Sequence, residues 1–330
     1  MIQHPAVIAL LVASGISSLL ILFAGWKGLL IIRRWEISSG SELQLQLERG
    51  TYLISTILGF VLCYQIISLF LYIFTADYLH PLLVGAMCAA GALNANHFGY
   101  PVLLGKIATC LGAGVWLVIN HVDAKGYDYP LIRPKYALLL CLVPLVWAET
   151  LAQVLYFANL KAQVITSCCG SLFSAGTGTL AADLAGLPSG PMEVALTVAI
   201  VLNCLLGIRF RSTGKGGYLL AAVSTLTFII AVAALVSFIS LYVYELPTHH
   251  CPFCLLHHEY NYIGYPLYAT LLGAAISGLS LGALLPAKKL PSLSSVVPQI
   301  QRKLATVSVL LYLVFGLMVV YLVASSALKF

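Results

Sequence analysis

Apolar residues run through this chain in long unbroken stretches, and polar residues are confined to the segments between them. Eight stretches, near 6–32, 51–75, 101–121, 137–159, 192–209, 218–243, 264–286 and 305–327, are long enough to cross a hydrocarbon core that needs roughly 20 apolar residues. The first opens directly after Met1–Pro5 without a basic lead-in, so it is expected to be a retained helix and not a removed signal. The pattern predicts an all-α polytopic transmembrane bundle of about 8 spans, organised as one integral membrane domain over 1–330.

A further apolar segment, 82–96 (LLVGAMCAAGALNAN), is too short to cross. It is expected to be a re-entrant or surface half-helix, which is tolerated at membrane depth only when packed in protein or lining a wet cavity. Residues 35–50 read as a short element at the interface, and 287–303 as a flexible linker with two prolines.

Composition agrees with this pattern. The chain is 61% hydrophobic and 8% charged, where a soluble domain carries about 25% charge. The net charge of +6 does not signal a nucleic-acid partner, because the basic residues lie in short inter-span connections. Lys27, Arg33, Arg34 and Arg49 share one side with Lys125, Arg133 and Lys135, then Arg209, Arg211 and Lys215, then Lys288, Lys289, Arg302 and Lys303. Lys161 and Lys329 fall on the other side, and Lys106 lies inside a span. By the positive-inside rule the richly basic side is cytoplasmic, which puts both termini on the exoplasmic side. A bacterial inner membrane is the expected setting.

That orientation sorts the reactive side chains. Cys63, Cys110, Cys141 and Cys204 fall inside spans, where free cysteine behaves as a small hydrophobe. Cys88, Cys168, Cys169, Cys251 and Cys254 map to the outer loops 76–100, 160–191 and 244–263, and seven of the eight histidines, all but His121, fall on the same outer side. The densest group is His249-His250-Cys251-Pro252-Phe253-Cys254-Leu255-Leu256-His257-His258. Pro252 suits the first turn of a helix, which would make Cys251 its cap and stabilise the thiolate. On such a helix Cys254 and His257 or His258 would share a face.

The group supports a structural disulfide, a redox-active dithiol, or a Zn or Cu site built from His249, His250, Cys251, Cys254, His257 and His258. A c-type haem is disfavoured, because Leu255 stands where the attachment motif needs histidine. The vicinal Cys168 and Cys169 could form a labile redox pair, bond to other cysteines or bind soft ions. Cys88 makes the outer set odd, so at least one thiol stays reduced, ligates metal or pairs transiently.

Two ionisable residues lie at membrane depth, Lys106 and Glu149. They could pair as a structural bridge, or Glu149 could relay protons or accept a hydrogen bond from a quinone head group. With His97 they are the candidate cofactor-binding residues. Tyr242, Tyr244, Tyr260, Tyr262, Tyr265 and Tyr268 are expected mainly as interfacial belt residues, some of them as an aromatic quinone wall.

The segment Cys251-Pro252-Phe253-Cys254 at the outer end of a span resembles the active-site placement of quinone-linked disulfide-forming membrane proteins, the DsbB and vitamin K epoxide reductase families. The resemblance implies that Cys251 and Cys254 are a quinone-proximal pair, Cys168 and Cys169 a shuttle pair, and the partner a thioredoxin-like exoplasmic protein. The vicinal pair is also similar, locally, to mercury-transport membrane proteins.

The favoured expectation is therefore a membrane thiol–disulfide or electron-transfer oxidoreductase linking an exoplasmic electron carrier to quinone. The alternative is a Cu, Zn or Hg transporter or delivery protein using the outer Cys/His set. A third is a non-catalytic anchor subunit of a respiratory complex.

Overall fold

The computed structural model describes residues 3–36, 39–161 and 180–328. Among these the protein is all-α, with no strand. In chain order the helices are α1 (Pro5–Arg34), α2 (Glu42–Leu79), α3 (Ala89–Leu93), α4 (Gly99–Asp123), α5 (Ile132–Ala158), α6 (Leu180–Ala185), α7 (Ser189–Thr213), α8 (Gly217–Tyr244), α9 (Gly264–Ala283) and α10 (Val296–Ser325). All but α3 and α6 are long and apolar enough to cross a membrane, eight in total, as a multi-pass membrane protein requires.

Local chemistry sets the helix ends. Pro5 opens α1, where a missing N–H costs nothing, and the His4 Nδ1 accepts from the Ala6 N–H at 3.3 Å. Arg33 and Arg34 close α1 at the negative end of its dipole. The connection from α7 to α8 turns through Gly214 and Gly216, at φ 67° and 84°, a region that β-carbons disfavour.

Three connecting segments differ from expectation. The polar stretch ending at Gly50 is no separate element from Glu42 onward, because α2 begins there and continues into the span. Hydrogen bonds between side chains four residues apart, Gln46 to Glu42 at 3.2 Å and Gln44 to Glu48 at 2.9 Å, support that extra helix. The expected half-helix shrinks to the five residues of α3, all buried. Much of the expected linker is ordered, as 3-10 turns at Pro286–Lys289 and Pro291–Leu293 followed by α10.

The chain divides into two compact units. The first comprises 1–75, 96–162 and 286–300. Its core joins Ile21, Leu58, Trp116, Tyr136 and Leu139 from α1, α2, α4 and α5. Among the described residues, two ion pairs are buried in it. Lys106 Nζ lies 2.7 Å from Glu149 Oε1 and also donates to Ser68 Oγ at 3.2 Å. Lys135 Nζ lies 2.6 Å from Asp123 Oδ2, whose other oxygen accepts from the Leu131 N–H at 2.8 Å. The second unit comprises 76–95, 163–285 and 301–330. In it α7, α8, α9 and α10 meet around Phe210, Leu220, Leu281 and Ala305. Tyr312 crosses from α10 to donate to the Ser224 carbonyl at 2.6 Å.

Removing one member of a buried ion pair strands its partner's charge, at a cost of about 3–5 kcal/mol. Lys106→Leu is therefore expected to destabilise the protein by about that much, and Lys106→Leu with Glu149→Leu to recover most of it. Thermal unfolding of the purified variants in detergent checks this, and equal losses in the single and double variants would refute it.

Candidate thiol and metal site

Of the five cysteines expected on the outer side, the three that the structure describes, Cys88, Cys251 and Cys254, meet within the second unit. Cys88 precedes α3 in extended backbone, at φ −163° and ψ −178°. The chain doubles back tightly here. A β-carbon on Gly91 would lie 2.9 Å from the Ala86 backbone, so only glycine permits the approach. The other two thiols come from the loop between α8 and α9, which leaves α8 at Glu245 in the left-handed region, φ 55°. Tyr244 donates its hydroxyl to the Cys251 carbonyl at 2.6 Å, and Tyr268 donates to the Pro252 carbonyl. A β-carbon on Gly264 would meet the Leu255 carbonyl group at 3.0 Å, so the start of α9 seats directly against the loop.

The result is a cluster of three sulfurs. Cys88, Cys251 and Cys254 are 0%, 0% and 7% exposed. Their Sγ atoms all lie within 4.8 Å of one another, with Cys88 and Cys251 at 3.6 Å. That separation is van der Waals contact, well beyond a disulfide bond of about 2.05 Å. An ion with metal–sulfur bonds of about 2.3 Å would space its sulfurs about 3.8 Å apart in a tetrahedron and about 4.0 Å in a flat triangle. The observed spacing suits either geometry with small side-chain rotations.

Around the sulfurs lies a polar shell centred on Asp77, at the end of α2. Its Oδ1 accepts from the Ala89 N–H at 3.0 Å and from His257 Nε2 at 2.7 Å. One carboxylate oxygen thus ties the residue after Cys88 to the residue three beyond Cys254. His257 stacks on His80, ring centroids 5.8 Å apart, and His80 Nδ1 bonds the Asp77 carbonyl. The Asp77 hydrogen bond raises the His257 pKa above the usual histidine value, outweighing burial. Burial lowers that of His249 and raises that of Tyr260. His250 donates from Nδ1 to the Val236 carbonyl at 2.9 Å. His249 Nε2 is buried without a hydrogen-bond partner, and its ring packs edge-on to Tyr244 at 4.4 Å. Leaving such a group unpaired costs about 1–3 kcal/mol.

Several sequence expectations change at this point. Cys251 caps no helix, since Pro252 and Phe253 lie in a bend and Cys254–Leu256 and His258–Tyr260 are single 3-10 turns. The thiolate therefore lacks a helix N-terminus, and Cys254 shares no helical face with His257 or His258. His258 is exposed, edge-on to Tyr262. Lys106 and Glu149 belong to the first unit, where they pair with each other, and His97, in the same unit, is exposed. Cys168 and Cys169 lie outside the described residues. Of the six tyrosines, Tyr244 and Tyr268 hold the cysteine loop, and Tyr242 donates to Glu193 at 2.8 Å.

Asp77 escaped the sequence reading. Its signal is an acid in the last turn of an apolar span with a histidine three residues on, Ala76-Asp77-Tyr78-Leu79-His80. Comparisons with protein-family models, curated proteins and solved structures return no match.

The His257–Asp77 bond carries a pH signature. Because the histidine pKa is raised in the folded state, the bond's contribution is complete below the usual histidine range. It is lost as pH rises through the raised value. Titration of His257 by NMR is expected to give a pKa above about 6.5 in the wild type, falling toward it in Asp77→Asn. An unchanged His257 pKa in that variant would contradict the assignment.

Proposed function

We propose that this chain is a multi-pass membrane protein that binds a soft metal ion through Cys88, Cys251 and Cys254 on the exoplasmic side, as a metal-handling protein. The observation that carries this reading is the convergence of three buried sulfurs within 4.8 Å. Three ionised thiols crowded out of water repel one another and lack solvation. A cation among them removes both penalties, and its binding releases the thiol protons. Thiolate donors favour Cu(I) and Zn(II) over hard ions such as Mg²⁺ or Ca²⁺. The exoplasmic placement rests on the distribution of Lys and Arg.

Asp77 supports the same reading as an outer-shell group. Metal sites depend on partners that orient the ligands, and losing one typically costs about 10–100-fold in affinity. Here a single carboxylate positions both ligand-bearing segments.

The 3.6 Å contact of Cys88 with Cys251 also favours a second reading, thiol–disulfide exchange. In it the Cys88 thiolate attacks Cys251 of a Cys251–Cys254 disulfide, forming Cys88–Cys251 and releasing the Cys254 thiolate. Over a full cycle an exoplasmic dithiol would be oxidised and a membrane quinone reduced, with two electrons and two protons transferred. Burial of all three thiols hinders attack by a partner protein, so the metal reading stands first.

Elemental analysis of the reduced, purified protein offered Zn(II) or Cu(I) separates the two. One ion per chain is expected, lost in Cys88→Ala, Cys251→Ala and Cys254→Ala, with affinity weakened about 10–100-fold in Asp77→Ala. Failure of the reduced wild type to retain either ion, with alkylation showing Cys251 and Cys254 exposed by reductant alone, would overturn the metal reading in favour of exchange.

A further inference from the structure

We infer that His249 is the fourth ligand of this site, through Nε2, making it a Cys3His centre selective for Zn(II) over Cu(I). The inference rests on the metal reading above and deepens it by naming the last donor and the ion.

The other nearby imidazoles are already engaged. His250 donates to the Val236 carbonyl at 2.9 Å. His257 is held by Asp77 at 2.7 Å through Nε2, with its other nitrogen 3.9 Å from Glu259. His258 is exposed to solvent. His249 alone among the four histidines flanking Cys251 and Cys254 has a buried ring nitrogen without a partner. A buried imidazole nitrogen facing no donor or acceptor is the expected state of a ligand whose ion supplies its bond.

Its position is tied to the sulfurs on two sides. His249 stands two residues before Cys251 on the same loop. Its ring packs on Tyr244 at 4.4 Å, and the same Tyr244 hydroxyl holds the Cys251 carbonyl at 2.6 Å. The sulfurs by themselves form the set within 4.8 Å, so binding through Nε2 requires the His249 side chain to move toward the ion.

The fourth donor decides which ion fits. Three thiolates and an imidazole in a tetrahedron are a donor set and shape that Zn(II) adopts at closed sites. Three thiolates alone suit Cu(I), for which the imidazole adds little.

X-ray absorption on the full-length, reduced protein tests the assignment, with Zn(II) and Cu(I) loaded separately. The Zn(II) form is expected to show three sulfurs and one nitrogen. His249→Phe, which keeps the ring packing on Tyr244, should lose that nitrogen. It should weaken Zn(II) by more than the about 10–100-fold typical of an outer-shell loss, while Cu(I) affinity holds. His258→Phe is the control and should leave both ions unaffected. Four sulfurs around Zn(II), or a nitrogen that persists in His249→Phe with unchanged affinity, overturns the inference and leaves the three-thiolate site standing. A wild type that binds neither ion overturns both.

Discussion

One oxygen atom, Asp77 Oδ1, joins two parts of the chain that lie far apart in sequence. It accepts from the backbone N–H of Ala89, beside Cys88, and from the imidazole of His257, beyond Cys254. Without that fork, Cys88 and the Cys251–Cys254 loop would be aligned only by apolar packing, which is tolerant of small shifts. A carboxylate accepting two hydrogen bonds fixes direction as well as distance. The tyrosines complete the frame, with Tyr244 and Tyr268 each binding a loop carbonyl. Cys251 and Cys254 are thus held at defined points of an otherwise irregular loop, with Cys88 brought against them from the segment before α3.

The same economy of polar groups governs the first unit, with a different result. There Lys106 with Glu149 and Lys135 with Asp123 each match a charge with a charge at 2.6–2.7 Å, and Glu149 Oε2 is buried without a hydrogen-bond partner. The thiol cluster instead brings three groups that can each carry a negative charge within 4.8 Å of one another.

The spans were legible in the sequence because lipid solvates apolar side chains and nothing else, so composition alone marks them. Charge asymmetry sorts Cys88, Cys251 and Cys254 onto one side of the membrane only as an expectation, and it gave no sign of their meeting, since Cys88 and Cys251 lie 163 positions apart. The helix expected after Cys251 fails for a physical reason. The carbonyls of Cys251 and Pro252, which would accept the first helical bonds, are taken by tyrosine hydroxyls from α8 and α9. Left-handed Asn261 and Tyr262 then keep the chain from becoming helical before Gly264. Asp77 was missed because a lone acid at a span's end has no periodicity and reads as an interfacial residue.

Within α8, residues Leu235–Ile239 form a π-helical turn, and the Val236 carbonyl there accepts from both His250 and Ser240. Each residue of an α-helix advances it by roughly 100°, so one extra residue in a turn sets back the phase of everything after it by about that angle. Tyr244 lies after the turn, and its hydroxyl reaches Cys251 only at the phase that the turn imposes. The widened turn therefore acts as a phase correction between a membrane helix, whose facing is set by its neighbours, and a loop that needs one particular side chain presented to it.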